Sequence, residues 1–329
     1  MPRILYFLSL CNLAIGSSAF VLGSIITDIA SELNVSPAQA GQATTAYALA
    51  TAILAPIMLV FAAKWPRRWA LAIALSLVTL GGVVCAASPS VTWLYFGRVV
   101  MGIGAVFTPM AAGIAIASVP VAQRGKALSI TFLGMSLSYV VGIPLGAWIA
   151  AHEGWRVTLA AFAGGTALMA LLCTFMIPAK LETPQAQLQG AGALLKRADV
   201  LSVLGVTLLY FSAIFSVFSY IGPVLKNLQT LSPNGLSGTL TIFGISGVLG
   251  TLIGGWANDR FGANKTLRVQ LLMMFAMMVA LPFTKGFYAL MVGALFIWGA
   301  AGFGMMAPQQ ARLAALDFSQ APLDRKSVV

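Results

Sequence analysis

The chain of 329 residues is 59% hydrophobic and only 8% charged, and its mean hydropathy is +0.93. A soluble domain carries about 25% charged residues, so this composition excludes a soluble globular fold and indicates a membrane protein. The net charge of +11 is compatible with nucleic-acid binding, but the positions of the basic residues, given below, explain it differently. The 33 glycines fit membrane helices, which pack through small residues.

Cysteine and histidine offer no basis for a metal or disulfide site. Cys11, Cys85 and Cys173 all lie within apolar runs, and the single histidine, His152, lies in a short loop. Buried cysteine behaves as a small hydrophobic residue. We therefore expect no metal and no cofactor.

Ten apolar runs are long enough to cross a bilayer, which takes about 20 residues. We number them spans 1 to 10, and the predicted ranges are 4–27, 37–63, 67–87, 90–118, 121–151, 155–177, 200–225, 233–257, 266–284 and 286–307. Ser36-Pro37 and Ser232-Pro233 each place a capping hydroxyl before a proline at the first helical position. The predicted fold class is an all-α membrane protein.

Lysine and arginine predict the orientation, because these residues collect in cytoplasmic loops. If the N-terminus is cytoplasmic, 15 of the 19 basic residues fall on the inner side. Only Arg156, Lys226 and Lys285 fall on the outer side, and Arg98 lies within span 4. This asymmetry predicts a cytoplasmic N-terminus and explains the positive charge without any nucleic acid.

A polar stretch and an internal repeat predict two helical bundles. Residues 178–199 form the longest polar stretch, and a shift of 196 residues places Ser36-Pro37 on Ser232-Pro233 and Lys64 on Arg260. We predict an N-terminal bundle of six helices over 1–177, a cytoplasmic linker over 178–199 and a C-terminal bundle of four helices over 200–323. Repeated bundles are typical of transporters that bind substrate between the repeats near the membrane midplane.

The segment that closes span 8 reads Gly255-Trp-Ala-Asn-Asp259-Arg260-Phe-Gly262. It resembles the loop motif of the major facilitator superfamily, Gly-x-Leu-Ala-Asp-Arg-x-Gly. We expect Gly255 to permit close helix approach and Gly262 to permit a turn. The resemblance implies that Asp259 faces the start of span 5, near residues 123–126. The first-half counterpart keeps Arg67 and Arg68 but has Ala63 in place of the acid.

Span 4 contains Arg98-Val-Val-Met-Gly102-Ile-Gly104-Ala, which resembles a second motif of the same superfamily, Arg-x-x-x-Gly-x-Gly-Ala. An arginine within the membrane is costly unless it faces a partner or water. Two roles are open: Arg98 supports proton coupling or gating, or it is a structural residue bonded to carbonyl groups of span 1.

Span 5 carries a third motif, formed by Gly134, Gly142, Pro144 and Gly146. It resembles the antiporter motif of the export branch, Gly-x-x-x-Gly-x-Pro-x-Gly. Its glycines permit close packing, and Pro144 removes a backbone hydrogen bond and kinks the helix. The alternative is an ordinary glycine-rich helix contact.

The N-terminal stretch resembles exporters of the arabinose, sugar and purine-nucleoside efflux type. Those relatives often carry an acid in a Thr/Ser-Glu-Phe triplet, whereas this chain has Ser18-Ala19-Phe20. Asp28 is then the membrane-proximal acid of the first half, and with Arg98 it is a candidate for transport and coupling. Polar or aromatic residues in mid-span are cavity candidates, although each could serve packing alone: Tyr47, Thr108, Tyr139, Phe211, Phe215 and Tyr220.

The superfamily pattern implies twelve spans, so we expect spans 11 and 12 to be missing. We also expect residues 324–329, DRKSVV, to be a non-native tail. A genuine ten-span protein with an ordinary polar tail is the alternative.

Taken with the resemblance, these motifs predict a secondary active transporter that exports a small drug, sugar or nucleoside by alternating access, coupled to protons. We expect a monomer in the inner or plasma membrane of a bacterium. The chain contains no nucleotide-binding loop and no cluster of acids and histidine, so we do not expect an enzyme. The alternative functions are a membrane receptor or assembly protein, or a truncated fragment without transport activity.

Overall fold

The structure is a computed structural model that describes residues 1–120, 123–178 and 197–314. Every regular element within these ranges is a helix. Most of the predicted linker, residues 179–196, and the predicted tail, residues 324–329, lie outside the described part.

The first six spans are helices whose bounds follow the predicted ranges closely. Span 1 consists of Arg3–Phe20 and Leu22–Glu32, and span 4 consists of Val91–Gly104 and Phe107–Ala117. Span 5 consists of Arg124–Leu137, a π-helical turn over Ser138–Gly142, and Ile143–Glu153. The uninterrupted helices are Pro37–Ala62 for span 2, Arg67–Ala86 for span 3 and Trp155–Met176 for span 6.

Four further spans follow. They are Ala198–Phe218 for span 7, Pro233–Phe261 for span 8, Ala263–Ala280 with the 3₁₀ turn Leu281–Thr284 for span 9, and Tyr288–Gly304 for span 10. A short helix, Ile221–Leu228, connects spans 7 and 8, and Met306–Ala314 follows span 10. In the described part of the chain, nine helices are long and apolar enough to cross a membrane, and Tyr288–Gly304 is a shorter apolar helix. The prediction of about ten spans is therefore confirmed.

Four of the helix interruptions lie next to prolines, whereas the break at Val21 in span 1 does not. Pro109 follows the break between the two helices of span 4, Pro144 follows the π-helical turn, and Pro282 lies in the 3₁₀ turn that ends span 9. Pro223 lies just after the turn at 219–220, which separates span 7 from the short connecting helix. Proline lacks the N–H group, and its ring excludes the carbonyl four residues earlier. Span 7 therefore ends at Phe218, earlier than its predicted range of 200–225.

Two predicted helix starts have the expected side-chain caps. The Ser36 hydroxyl accepts a hydrogen bond from the Gln39 backbone N–H at 3.2 Å, and the Ser36 backbone N–H donates to Gln39 Oε1 at 2.9 Å. The Ser232 hydroxyl accepts a hydrogen bond from the Gly235 N–H at 3.1 Å. The hydroxyl before each proline therefore binds an amide that has no partner within its helix.

The chain divides into two compact units. Of the described residues, the first unit holds 1–178 and 218–245, and the second holds 197–217 and 246–314. The first unit thus contains spans 1 to 6, the last residue of span 7, the connecting helix and the first half of span 8.

Glycines bring spans 3 and 4 of the first unit into backbone contact. A Cβ atom on Gly97 would lie 2.7 Å from the Gly81 carbonyl oxygen and 2.6 Å from the Cys85 sulfur. One on Gly104 would lie 2.6 Å from the Ala74 carbonyl oxygen. These distances leave no room for a side chain, so glycine is required at both positions for this packing.

In the second unit, spans 8 and 10 approach closely at Gly250 and Gly254. A Cβ atom on either glycine would overlap backbone atoms of Ala300 or Gly304. Gly255 is different, because no described atom lies within 4 Å of the position of its Cβ. Within the described residues the close approach is made by the helix face that carries Gly250 and Gly254, and the role of Gly255 stays a prediction.

Candidate functional site

Arg98 lies in the core of the first unit and is only 1% exposed. Its Nη1 donates hydrogen bonds to the carbonyl oxygens of Ala19, at 3.0 Å, and Ser18, at 3.4 Å. Its guanidinium also lies 5.9 Å from the centre of the Tyr47 ring. The contact with carbonyl groups of span 1, one of the two roles predicted for Arg98, is therefore present.

Several polar atoms at and around Arg98 lack hydrogen-bond partners within the described part of the chain. Among the described residues, its Nε and Nη2 atoms have no hydrogen-bond partner, and neither does the buried hydroxyl of Ser18. No carboxylate lies nearby, because the acids of the first unit's described part lie toward helix ends, at Asp28, Glu32 and Glu153. A buried charge without a counter-ion is costly in a membrane, and the free donors leave Arg98 able to bind water or a polar ligand.

Close packing of span 4 on span 2 keeps Arg98 away from lipid. A Cβ atom on Gly102 would lie 2.6 Å from the Ala50 side chain and 2.7 Å from the Tyr47 carbonyl oxygen. The hydroxyl of Thr51 donates to the Gly102 carbonyl at 3.4 Å. The predicted glycines of the Arg98 motif therefore bury this arginine against the bundle.

Asn12 forms a second buried polar group in the same unit. Its Nδ2 donates to the Thr131 carbonyl at 2.9 Å, and its Oδ1 accepts from the Thr108 hydroxyl at 3.1 Å. The amide thus joins spans 1, 4 and 5, and Asn12 is 0% exposed. Sequence reasoning proposed Thr108 but missed Asn12, although an amide in the apolar run of span 1 could have indicated it.

Span 5 packs directly on span 1 through its three motif glycines. A Cβ atom on Gly134 would overlap the carbonyl oxygen of Ser9, and one on Gly142 would overlap the hydroxyl of Ser17. One on Gly146 would overlap the Val21 side chain. The predicted close packing of this motif is confirmed, and a larger residue at any of the three would push the helices apart.

The π-helical turn Ser138–Gly142 lies between the first and second of these contacts and ends just before Pro144. A π turn absorbs one extra residue, and such turns recur at functional sites. The predicted kink at Pro144 is thus accompanied by a wider turn, which relieves the clash between the proline ring and the preceding backbone.

This part of span 5 also contacts the first half of span 8. The Ser237 hydroxyl donates to the Pro144 carbonyl at 3.0 Å. A Cβ atom on Gly244 would lie 2.6 Å from the Val140 Cα atom and would overlap the Tyr139 carbonyl. Span 5 therefore lies between span 1 and residues 233–245.

An aromatic cluster adjoins the π turn, and we define it as Phe20, Tyr139, Phe218 and Phe243. The Phe20 and Tyr139 rings stack with centres 5.0 Å apart, and the Phe218 ring lies edge-on to both at 6.1 and 5.8 Å. Phe243 stacks on Phe218 at 5.9 Å. Of the four, only Tyr139 was predicted as a cavity residue, because the others become neighbours through contacts distant in sequence.

Polar and small residues join spans 1 and 2 to the connecting helix. Lys226 Nζ lies 3.5 Å from Asp28 Oδ1 and 3.3 Å from the Thr27 hydroxyl. The Tyr220 ring fills the space that a side chain on Gly41 would need. Asp28 thus has a basic partner that the sequence could not indicate, since 198 positions separate the two residues.

The remaining candidates lie in the second unit. The Phe211 and Phe215 rings stack along one face of span 7, with centres 6.2 Å apart. Asp259 Oδ1 accepts from the Asn258 side chain at 3.2 Å, and Arg260 lies 5.8 Å from the ring centres of Trp256 and Phe261. Gly262 has a φ of 81°, a left-handed conformation that favours glycine. The predicted turn at Gly262 is confirmed, whereas the role of Asp259 stays a prediction.

The structure therefore places the candidates in separate settings. Tyr47 lies beside Arg98, Thr108 binds Asn12, Tyr139 belongs to the aromatic cluster and Tyr220 lies against span 2. Arg67 and Arg68 begin span 3, and Arg68 Nη1 donates to the Thr174 carbonyl of span 6 at 3.1 Å. Across the described ranges, no three His, Cys, Asp or Glu residues come close enough to hold a metal ion.

Two bacterial relatives match nearly the whole chain. The chain is 27% identical over 316 residues to YbcL of Bacillus subtilis (strain 168), named as an MFS-type transporter, and the match covers 95% of this chain and 80% of that protein. It is 29% identical over 300 residues to YdhP of Escherichia coli (strain K12), an inner membrane transport protein. That match covers 91% of this chain and 77% of YdhP.

The fold also matches a solved transporter. The crystal structure of the nucleoside transporter NupG aligns with a TM-score of 0.76 over 94% of this chain and 81% of that one, at 16% identity. At this identity the likeness shows the fold alone. Residues 8–323 match the family model of the Major Facilitator Superfamily. With this match over most of its length, the chain belongs to the Major Facilitator Superfamily and is a multi-pass membrane transporter rather than an enzyme.

Proposed function

We propose that this transporter exports a small solute in exchange for protons, by alternating access. The observation that carries the proposal is the contact between spans 1 and 5, where Gly134, Gly142 and Gly146 each leave no room for a side chain. These glycines make up the motif that resembles the antiporter motif of the export branch. We further propose that the protein lies in a bacterial inner membrane with a cytoplasmic N-terminus.

The contact between spans 1 and 5 suits exchange for a physical reason. Helices in direct backbone contact leave no path for water between them, and a leak of protons would dissipate the gradient that drives export. The π turn at Ser138–Gly142 provides a local site where span 5 can shift its register at low cost. Such a shift would move Tyr139 within the aromatic cluster.

For coupling, we propose Asp28 and Arg98. Protonation of Asp28 would remove its negative charge and the attraction to Lys226, 3.5 Å away. Loss of that contact would free the connecting helix from the end of span 1. Arg98, with two donor nitrogens that lack described partners, would stabilise the charge of a deprotonated group or a polar part of the substrate.

For the substrate, we keep the classes drug, sugar and nucleoside. The aromatic cluster favours a ligand with a flat ring, because aromatic rings stack with a gain of about 1 kcal/mol beyond burial. Phe211 and Phe215 remain the cavity candidates of the predicted C-terminal bundle.

Transport by purified protein in liposomes tests the proposal. Vesicles loaded with an acidic buffer and diluted into a basic one would receive a radiolabelled nucleoside, a pentose or a cationic dye in separate assays. We expect one of these to accumulate while the gradient lasts, and D28N to abolish accumulation but not downhill flux. The matched control is G164A in span 6, where no described atom lies within 4 Å of the added methyl group.

Two outcomes would contradict the proposal. Transport that persists unchanged after the proton gradient is collapsed would exclude antiport. Saturable binding without any flux would instead support a receptor or assembly protein.

A further inference from the structure

A groove runs along the surface of the first unit between spans 3 and 6. It has a volume of about 520 Å³, and its walls carry exposed apolar side chains, among them Ile73, Leu80, Val83 and Leu171. Trp69 and Thr174 lie at one end of the groove, and Val83 and Ala167 lie toward the other. This groove is distinct from the Arg98 site and from the aromatic cluster, since it lies on the outer surface of the first unit, where its side chains are exposed.

The groove has the length of a lipid chain. The 15 residues from Trp69 to Val83 extend over ~21 Å at the rise of an α-helix. One leaflet contributes about half of the ~30 Å hydrocarbon core, so the groove covers the depth of one leaflet. Thr79 lines the groove, and its hydroxyl bonds to the hydroxyl of the buried Thr166 at 2.9 Å, so this pair presents no unpaired polar group to an acyl chain. Ser76 also lines the groove.

One end of the groove is basic. Arg67 and Arg68 begin span 3 beside Trp69, and none of the three ion pairs in the described part of the chain includes either arginine. Arg68 holds the Thr174 carbonyl through Nη1, but its buried Nε has no partner among the described residues. Trp69 is 51% exposed at this rim, where tryptophan typically meets lipid headgroups.

The same end presents an uncapped helix N-terminus. Pro66 occupies the cap position of span 3 without a side-chain hydrogen bond, and no acid lies in the first turn. The first amide groups of a helix attract anions through their free N–H groups and the helix dipole. The uncapped terminus and Arg68 therefore lie beside the mouth of an apolar groove, and Arg67 adds a second positive charge in the same helical turn.

We propose that this groove is a binding site for one anionic phospholipid. Its acyl chain would lie along Ile73, Leu80 and Leu171, and its phosphate would accept hydrogen bonds from Arg68 and from the first turn of span 3. Basic pockets between membrane helices on the cytoplasmic side bind anionic headgroups, and the predicted orientation places Arg67 and Arg68 on that side. The acyl chain of a zwitterionic lipid fits the groove equally well, but its headgroup is attracted less strongly by the two arginines.

Native mass spectrometry of the full chain released from detergent tests this site. Dioleoyl-phosphatidylglycerol and dioleoyl-phosphatidylcholine are added separately, so that only the headgroup charge differs. We expect one phosphatidylglycerol to stay bound at concentrations at which phosphatidylcholine does not. R67Q and R68Q should each weaken that binding about fivefold, and R67Q leaves the bond between Arg68 and Thr174 intact.

Two further variants separate the headgroup from the groove. R268Q removes an exposed basic residue at the start of span 9 and serves as the matched control, with binding unchanged. A167F places a ring in the groove and should weaken phosphatidylglycerol binding although both arginines remain. Thermal unfolding of each variant verifies that the protein is folded.

Four results would overturn the proposal. They are equal retention of the two lipids, an equal loss in R268Q and R68Q, full retention of phosphatidylglycerol in A167F, and displacement of the lipid by glycerol phosphate at the same concentration. A stable dimer that excludes lipid would likewise overturn it, because a second copy would then occupy the groove.

Discussion

Glu32 and Arg156 form an ion pair with 2.8 Å between Oε1 and Nε, which joins the end of span 1 to the start of span 6. The second oxygen of Glu32 accepts from the Trp155 indole N–H at 2.6 Å. Arg156 Nη1 also donates to the carbonyls of Ala86 and Ser88, at 3.0 and 2.7 Å. Three segments of the first unit, the third being the loop between spans 3 and 4, are thus held together at this end.

We expect R156A to destabilise the protein more than E32Q does. An exposed ion pair contributes at most about 1 kcal/mol, whereas R156A also leaves two carbonyls without a charged donor, for a total of about 2 kcal/mol. R156K should resemble R156A, because a lysine cannot reach the carboxylate and both carbonyls together. Thermal unfolding in detergent measures this order, and equal transition temperatures for R156K and the parent protein would contradict it.

The glycine contact between spans 1 and 5 predicts that two glycine-to-alanine variants, G134A and G164A, differ in their effect on stability. G134A inserts a methyl group against the Ser9 carbonyl and should cost about 1–3 kcal/mol. G164A lies in a helix with no described atom within 4 Å, so it should be neutral or stabilise by up to about 1 kcal/mol. Size-exclusion profiles and thermal unfolding compare the two, and an equal effect would refute the packing argument.

Replacement of Arg98 by methionine separates the two roles that the sequence left open. Removal of a buried, incompletely paired charge should leave the unfolding temperature unchanged or raised. Transport driven by a pH gradient should be lost, because the two free donors disappear. A marked loss of stability in R98M would instead favour a purely structural arginine. The paired readout is thermal unfolding and uptake into liposomes.

The hydrogen bond between Thr108 and the buried amide of Asn12 predicts that T108V lowers the free energy of unfolding, although valine and threonine have nearly the same shape. The substitution removes the donor to Asn12 Oδ1 and leaves a buried acceptor unpaired, at a cost of about 1–3 kcal/mol. The double variant N12L/T108V should be less destabilised than the sum of the single changes, since the acceptor that T108V leaves unpaired, Asn12 Oδ1, is itself removed. Unfolding free energies that add without coupling would show that the hydrogen bond does not form.

The ion pair of Asp28 with Lys226 predicts a small, salt-dependent coupling. Both side chains are 41% exposed, so a double-mutant cycle of D28N and K226Q should give about 0.2–1 kcal/mol. The coupling should fall at 1 M salt, where the screening length is ~3 Å. Denaturation at low and high salt measures it, and a coupling that does not change with salt would argue against a direct ion pair.

Local pattern was sufficient to predict the spans and their caps. Apolar length placed ten helices, and Ser36-Pro37 and Ser232-Pro233 placed two starts correctly, because caps involve neighbours three residues away. The turn at Gly262 was predictable for the same reason. The end of span 7 was predicted too late, at residue 225 instead of Phe218, because hydropathy does not register that Pro223 interrupts a backbone hydrogen bond.

The candidate site was predicted only in part. Arg98 and the span 5 glycines stand out as motifs, and the structure shows their contacts with span 1. Asn12, Glu32 and the aromatic cluster partners of Tyr139 were missed. Each of them contacts a residue far along the chain, as Glu32 contacts Arg156, 124 positions away.

Sequence alone determined that this protein crosses the membrane many times, and its motifs resemble those of facilitator-type transporters. Composition and motif spacing depend on local chemistry, so they can be read directly along the chain. Only the tertiary structure decided which carbonyls hold Arg98, which residue pairs with Asp28, and that a basic groove lies between spans 3 and 6. Many faces of these helices are equally apolar, and the positions of small residues decide which faces pack together. These contacts join residues far apart in the chain, so only the tertiary structure reveals them.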